Sequence, residues 1–119
     1  MRILVVDDNF DVARSLSLLL GSWGCEVRTA HDGLRAIETA KAYPPDVVLL
    51  DLKMPRMDGF EVAAHLRHEE WAHDLKLVAL TGCSQIEDQA HAIQAGFDHF
   101  MVKPVEPKSL KDLLETLKK

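Results

Sequence analysis

Three aspartates, a threonine and a lysine stand behind short apolar runs, and their chemistry is complementary. Asp7 and Asp8 follow Ile3-Leu4-Val5-Val6, Asp51 follows Val47-Val48-Leu49-Leu50, Thr81 closes the run Leu75 to Leu80, and Lys103 comes just after Val102. Taken singly, each aspartate is a polar stop at the end of a strand. Three such stops with a lysine and a threonine make a site, because the carboxyl ends of the strands in an open parallel sheet share one edge, where ligands bind. Carboxylates crowded there repel by about 4 kcal/mol per pair at roughly 4 Å and an effective dielectric of about 20, so they need a cation or raised pKa values. Magnesium suits this donor set: it takes one or two carboxylates, keeps several waters and bridges to phosphate oxygens, whereas calcium wants a fuller oxygen cage. Lys103 adds a compact cation and Thr81 a hydroxyl donor. Together the five fit phosphoryl transfer, in which cations neutralise phosphate oxygens and an aspartate can be the covalent nucleophile.

Periodicity predicts the elements that must position these groups. Strands are expected over Ile3–Val6, Glu26–Thr29, Val47–Leu50, Leu75–Leu80 and about His99–Val102. Between them, helical stripes run through Val12, Leu16, Leu19 and Leu20 (from about Asp11, closed by Gly21 and Gly24) and through Ala36, Ile37 and Ala40 (ended by Pro44-Pro45). Two more run through Phe60, Ala63 and Leu66, after a loop forced by Pro55 and Asp58-Gly59, and through Ile86, Ala90 and Ile93, stopping at Gly96. Pro107 opens a last helix with Leu110, Leu113, Leu114 and Leu117. Strict alternation with strands apolar on both faces specifies an α/β protein of five βα units, a parallel sheet covered by helices on each side. Periodicity leaves the strand order open.

The 119 residues carry 14 Lys plus Arg against 19 Asp plus Glu, a net charge of -5, with 47% hydrophobic and 28% charged types, which fits one globular domain over residues 1–119. The five units consume that length, so any effect is expected to pass through a partner. The acidic balance argues against direct contact with nucleic acid or an anionic membrane. Cys25 and Cys83 have no ligand spacing and no framework of further cysteines, and the longest apolar runs are four residues, so a cytoplasmic protein without a structural zinc or disulfide scaffold is expected.

The residues resemble the receiver domains of two-component response regulators and hybrid histidine kinases over essentially the whole chain. The motifs are Val5-Val6-Asp7-Asp8, Asp51-Leu52-Lys53-Met54-Pro55-Arg56-Met57-Asp58-Gly59, Leu80-Thr81-Gly82 and Phe100-Met101-Val102-Lys103-Pro104. The stretch Leu80 to Val105, with its turn Gly96-Phe97-Asp98-His99, is closer to the hybrid-kinase receivers. The resemblance implies a flavodoxin-like, doubly wound five-stranded sheet in the order 2-1-3-4-5. It implies that Asp51 accepts a phosphoryl group from a phosphohistidine on a histidine kinase or a histidine phosphotransfer protein. It also implies that Asp8 and Asp51 hold Mg2+ with the backbone carbonyl of Lys53, with Asp7 reaching the ion through water. By the same resemblance Lys103 pairs with the acceptor and then the phosphoryl oxygens, Thr81 swings to bond the phosphoryl group, and the Lys103-Pro104 peptide is cis. Phe100 matches an aromatic switch position, although a core aromatic in the last strand is the plain alternative, and as Phe it has no hydroxyl to donate. Lys53 and Cys83, two residues past Asp51 and Thr81, match positions that set the acyl-phosphate lifetime. The surface around the fourth helix, fifth strand and last helix is the implied contact for an unknown downstream protein, in a monomer or weak dimer. The fourth helix carries Glu87, Asp88, Gln89, His91 and Gln94, without the basic pair seen in winged-helix, DNA-binding regulators.

His65, His68, His73, His91 and His99 are expected on the surface, and Arg56 and Arg67 in solvent. An aspartate-nucleophile phosphatase would need a second aspartate two residues after the first as its general acid, and Lys53 and Asn9 stand there instead. A phosphorylation-independent docking module is weakened by the presence of all five site residues.

Overall fold

The computed structural model describes residues 1–82 and 94–117. Its strands are β1 (Arg2–Val6), β2 (Glu26–Ala30), β3 (Val47–Asp51), β4 (Lys76–Thr81) and β5 (His99–Val102). The described helices are α1 (Phe10–Ser22), α2 (Gly33–Ala42), α3 (Gly59–Arg67) and α4 (Pro107–Leu117), with a 3-10 turn over Glu70–Ala72 that periodicity did not predict. The helix predicted through Ile86, Ala90 and Ile93 lies outside the described residues, as do Cys83 and His91. All strand pairs are parallel, in the order β2-β1-β3-β4-β5. This is the doubly wound sheet that the resemblance implied.

Side chains alternate across each central strand, so each strand feeds two cores. Ile3, Val5, Val47, Leu49, Val78 and Leu80 pack with Leu16 and Leu20 of α1 and Leu110 and Leu114 of α4. Leu4, Val6, Val48, Leu50, Leu77 and Ala79 pack on the other side with Ala36 and Ala40 of α2 and Val62, Ala63 and Leu66 of α3. In β3 all five residues are buried, which explains its unbroken apolar run. The α3 stripe differs from expectation in one place: Val62 is buried, while Phe60 is only partly buried and meets Phe97 edge-on at 6.2 Å between ring centres.

Each of the first three helices starts on a side-chain cap that the polar strand ends and loops supply. Asn9 Oδ1 accepts from the N–H groups of Asp11 and Val12, Asp32 from Arg35, and Asp58 Oδ1 from Glu61. From these starts α1 and α2 each pack across β1 and β2.

Arg67 corrects the expectation of a solvated side chain. Its Nε and Nη2 donate to the Gly96 carbonyl at 3.0 and 2.8 Å, its Nη1 to the Leu75 carbonyl at 2.8 Å, and its Nη2 to Asp98 Oδ2 at 2.6 Å. At the last turn of α3 the arginine sits beside carbonyls outside the strand ladders, and a guanidinium has enough fixed donors to serve them together. Arg56 and His65, His68, His73 and His99 are exposed, as expected.

Candidate functional site

The carboxyl ends of β1, β3, β4 and β5 bring the acidic and basic groups together. Oxygens of Asp7, Asp8 and Asp51 all lie within 4.8 Å of one another, with Asp7 and Asp51 buried and Asp8 exposed. Lys103, just past β5, places Nζ 2.7 Å from Asp7 Oδ2 and 3.3 Å from Asp51 Oδ2. Asp7 Oδ2 has no hydrogen-bond partner of ordinary geometry among the described residues, so its ion pair with Lys103 is what compensates its burial.

The other oxygens are held by main chain. Asn9 N–H donates to Asp7 Oδ1 at 3.0 Å and Lys53 N–H to Asp51 Oδ1 at 3.1 Å. Gly59 makes that second turn possible: a Cβ on it would collide with the Asp51 carbonyl oxygen and come within 2.8 Å of Leu52 Cα. Thr81 is buried at the end of β4, and its carbonyl accepts from Lys103 N–H at 2.7 Å, which ties the lysine's backbone to the threonine's. The Lys103-Pro104 peptide is cis.

Electrostatics follow from this packing. Burial pushes Asp51 from 3.8 up to about 6, the Lys53 N–H works against that rise, the neighbouring Asp7 charge adds to it and Lys103 opposes it. For Lys103 burial works downward, but the hydrogen bond and charge of Asp7 together with the charge of Asp51 outweigh it and hold the ammonium above the ordinary lysine range. The result is a pocket with one cation against three carboxyl groups.

Hard oxygen donors at these separations are the donor set of a divalent magnesium or calcium ion, and the desolvated Asp51 is the group whose charge such an ion would relieve. Lys53 projects an exposed side chain from the loop after β3. Phe100 is 36% exposed on β5, which corrects the reading of it as a core aromatic: β5 is an edge strand, and Phe100 shares its exposed face with Val102 while Met101 packs on the core side.

The profile of the family described as "Response regulator receiver domain" matches residues 3–115. The chain belongs to that family. Receiver domains are the signalling switches of two-component response regulators and bind Mg2+ at an acidic pocket; in this chain Asp7, Asp8 and Asp51 form an acidic cluster. Among its relatives, the probable transcriptional regulator ycf27 of Cyanophora paradoxa is 36% identical over 116 residues, covering 98% of this chain and 47% of the relative. The response regulator MprA of Mycobacterium avium (strain 104) is 37% identical over 118 residues, covering 99% and 50%. The receiver chain thus spans about half the length of the curated relatives it matches. Among solved structures, the chemotaxis protein CheY4 of Vibrio cholerae superposes with a TM-score of 0.93 at 30% identity, covering 98% of this chain and 97% of that one.

Two contacts at the acidic turn were not foreseen from the sequence. His31 Nδ1 lies 3.1 Å from the Asp7 carbonyl oxygen, and its ring stacks on that of Phe10 with centres 3.8 Å apart. Asn9 caps α1 while its own N–H holds Asp7. Asn9 had a legible signal, a cap residue just before a helical stripe; the contact of His31 has none, since it joins residues 24 apart.

Proposed function

We propose that residues 1–119 act as one receiver unit that takes a phosphoryl group on Asp51 from a phosphohistidine of a histidine kinase or histidine phosphotransfer protein. The observation that carries this reading is the meeting of a desolvated aspartate, two further carboxylates and a lysine at one strand-end pocket. A carboxylate oxygen of Asp51 attacks phosphorus, the O–P bond forms, and the P–N bond breaks with its electron pair returning to the imidazole. Asp7, Asp8 and Asp51 with the Lys53 carbonyl would hold Mg2+, and when bound it supplies positive charge to the phosphoryl oxygens.

The remaining work falls to the chain's own groups. The Lys53 N–H keeps Asp51 oriented. Lys103, already 3.3 Å from Asp51 Oδ2, is placed to follow the added charge, which turns a carboxylate of -1 into an acyl phosphate of about -2 with three acceptor oxygens. Thr81 is the hydroxyl donor for one of those oxygens. That new set of contacts biases the surface around the segment after β4, β5 and α4, where Phe100 is the switching aromatic and a downstream protein reads the state. Lys53 tunes the rate at which water reverses the reaction; Cys83, proposed for the same task, lies outside the described residues.

Intact-mass measurement after incubation with acetyl phosphate or phosphoramidate and Mg2+ tests the assignment. One phosphoryl adduct is expected on the wild-type chain and none on Asp51→Asn; an adduct that persists in Asp51→Asn would overturn it.

A further inference from the structure

The loop of residues 52–58, which follows Asp51 and carries Lys53, is closed at its base by a 3.0 Å hydrogen bond from Gly59 N–H to the Leu52 carbonyl. Its tip is strained. Met57 N–H donates to the Pro55 carbonyl at 2.8 Å around Arg56, a non-glycine residue at φ +71°, which is the γ-turn hand that chains rarely adopt. Such a turn persists only where its surroundings hold it. Met54 is buried among the α2 and α3 side chains and anchors the near limb. Beyond the strained residue the far limb has its own anchor, Met57, which packs against the first residue of α2.

That contact depends on a missing atom. Gly33 is buried, and a Cβ built on it would stand 2.8 Å from Cβ, Cγ and Sδ of Met57, well inside the roughly 3.5–4.0 Å at which carbons settle. The notch is therefore filled to contact by Met57. Lys53, four residues before Met57 in the same closed loop, holds Asp51 Oδ1 through its N–H.

We propose that the Gly33 notch and the Met57 side chain seated in it are positioning residues for metal binding: the seat holds the strained loop so that the Lys53 main chain stays at the acidic pocket. This rests on the reading of Asp7, Asp8 and Asp51 as the magnesium site. Alanine at position 33 displaces Met57, and the displacement passes along the loop to Lys53.

Magnesium titration followed by calorimetry, with the Lys53 amide resonance as a metal-free readout, tests the seat in a two-residue cycle. Gly33→Ala is expected to raise the Mg2+ Kd by about tenfold, the low end of what supporting residues of metal sites contribute, and to shift the Lys53 amide before any metal is added. In a Met57→Gly background the same Gly33→Ala change is expected to leave the Kd unaltered, because the three atoms nearest the new methyl are gone. A residue with a purely structural role would lower the melting temperature of Gly33→Ala without moving the Kd or the Lys53 amide. An unchanged Kd and amide in Gly33→Ala, or equal effects in the two backgrounds, overturns the seat. Wild-type protein that binds no Mg2+ overturns the metal reading and the seat with it. Should Gly33→Ala fail to fold, Met57→Gly alone is expected to weaken Mg2+ binding and shift the Lys53 amide, and no change in either overturns the proposal.

Discussion

Asp51 is held at odds with its own charge, and that has a measurable cost. With its carboxyl at about 6 in the folded chain against 3.8 in the unfolded one, the folded state holds the extra proton between those values. The stability from a protonated Asp51 is therefore complete below about pH 4 and is lost as pH rises through about 6. Asp51→Asn cannot ionise, so in metal-free buffer at pH 7 it should be more stable than wild type, by at most about 3 kcal/mol, with the difference closing near pH 4. Chemical denaturation of both proteins across pH measures this, and a variant no more stable than wild type at pH 7 would contradict it. The same logic makes Mg2+ and the proton compete for one carboxylate, so Mg2+ affinity should weaken as pH falls below about 6, as titrations at pH 5 and 7.5 would reveal. The meeting of Asp7, Asp8, Asp51 and Lys103 was legible because each sits at or just past the end of an apolar run. Arg67 was not, because nothing in its spacing along α3 tells which carbonyls from residues 75 and 96 will lie within reach. Phe100 was ambiguous for a related reason: an aromatic on an edge strand can face either a packed layer or solvent.

Among the elements, α3 does two jobs at opposite ends. Its first residue, Gly59, lets the helix begin against the Asp51 backbone, and its last, Arg67, bonds the carbonyls that flank β4 and precede β5. Arg67→Ala leaves the Leu75 and Gly96 carbonyls without those donors and Asp98 without its cation, and should destabilise the chain by about 2–3 kcal/mol. Arg67→Lys should recover little of it, because a single ammonium cannot span three acceptors in a fixed fork. Equilibrium urea unfolding of the two variants separates these outcomes, and full recovery by lysine would show that charge rather than geometry is at work. Alternation predicted the strands and described helices to within a few residues. The 3-10 turn over Glu70–Ala72 escaped notice because three residues are too short to show a period.

Across the whole molecule, stability and ligand are linked. If Mg2+ binds only the folded chain, a concentration one hundred times its Kd adds about 2.7 kcal/mol, which for a domain of this size raises the melting temperature by roughly 10 °C. A melting curve indifferent to Mg2+ at pH 7.5 would count against the acidic pocket as its site. No helix among the described residues is long and apolar enough to cross a membrane. The sheet also divides the interior into two cores that share backbone but little side-chain contact, one with α1 and α4, the other with α2 and α3. The molecule is in this sense a laminate. Leu16→Ala and Val62→Ala, one in each ply, should lower stability by amounts that simply add, because neither cavity can borrow atoms through the sheet. Divergence can then proceed ply by ply: the α1 and α4 exterior can be rewritten for a new companion while the ply that seats the loop after β3 is left as it stands.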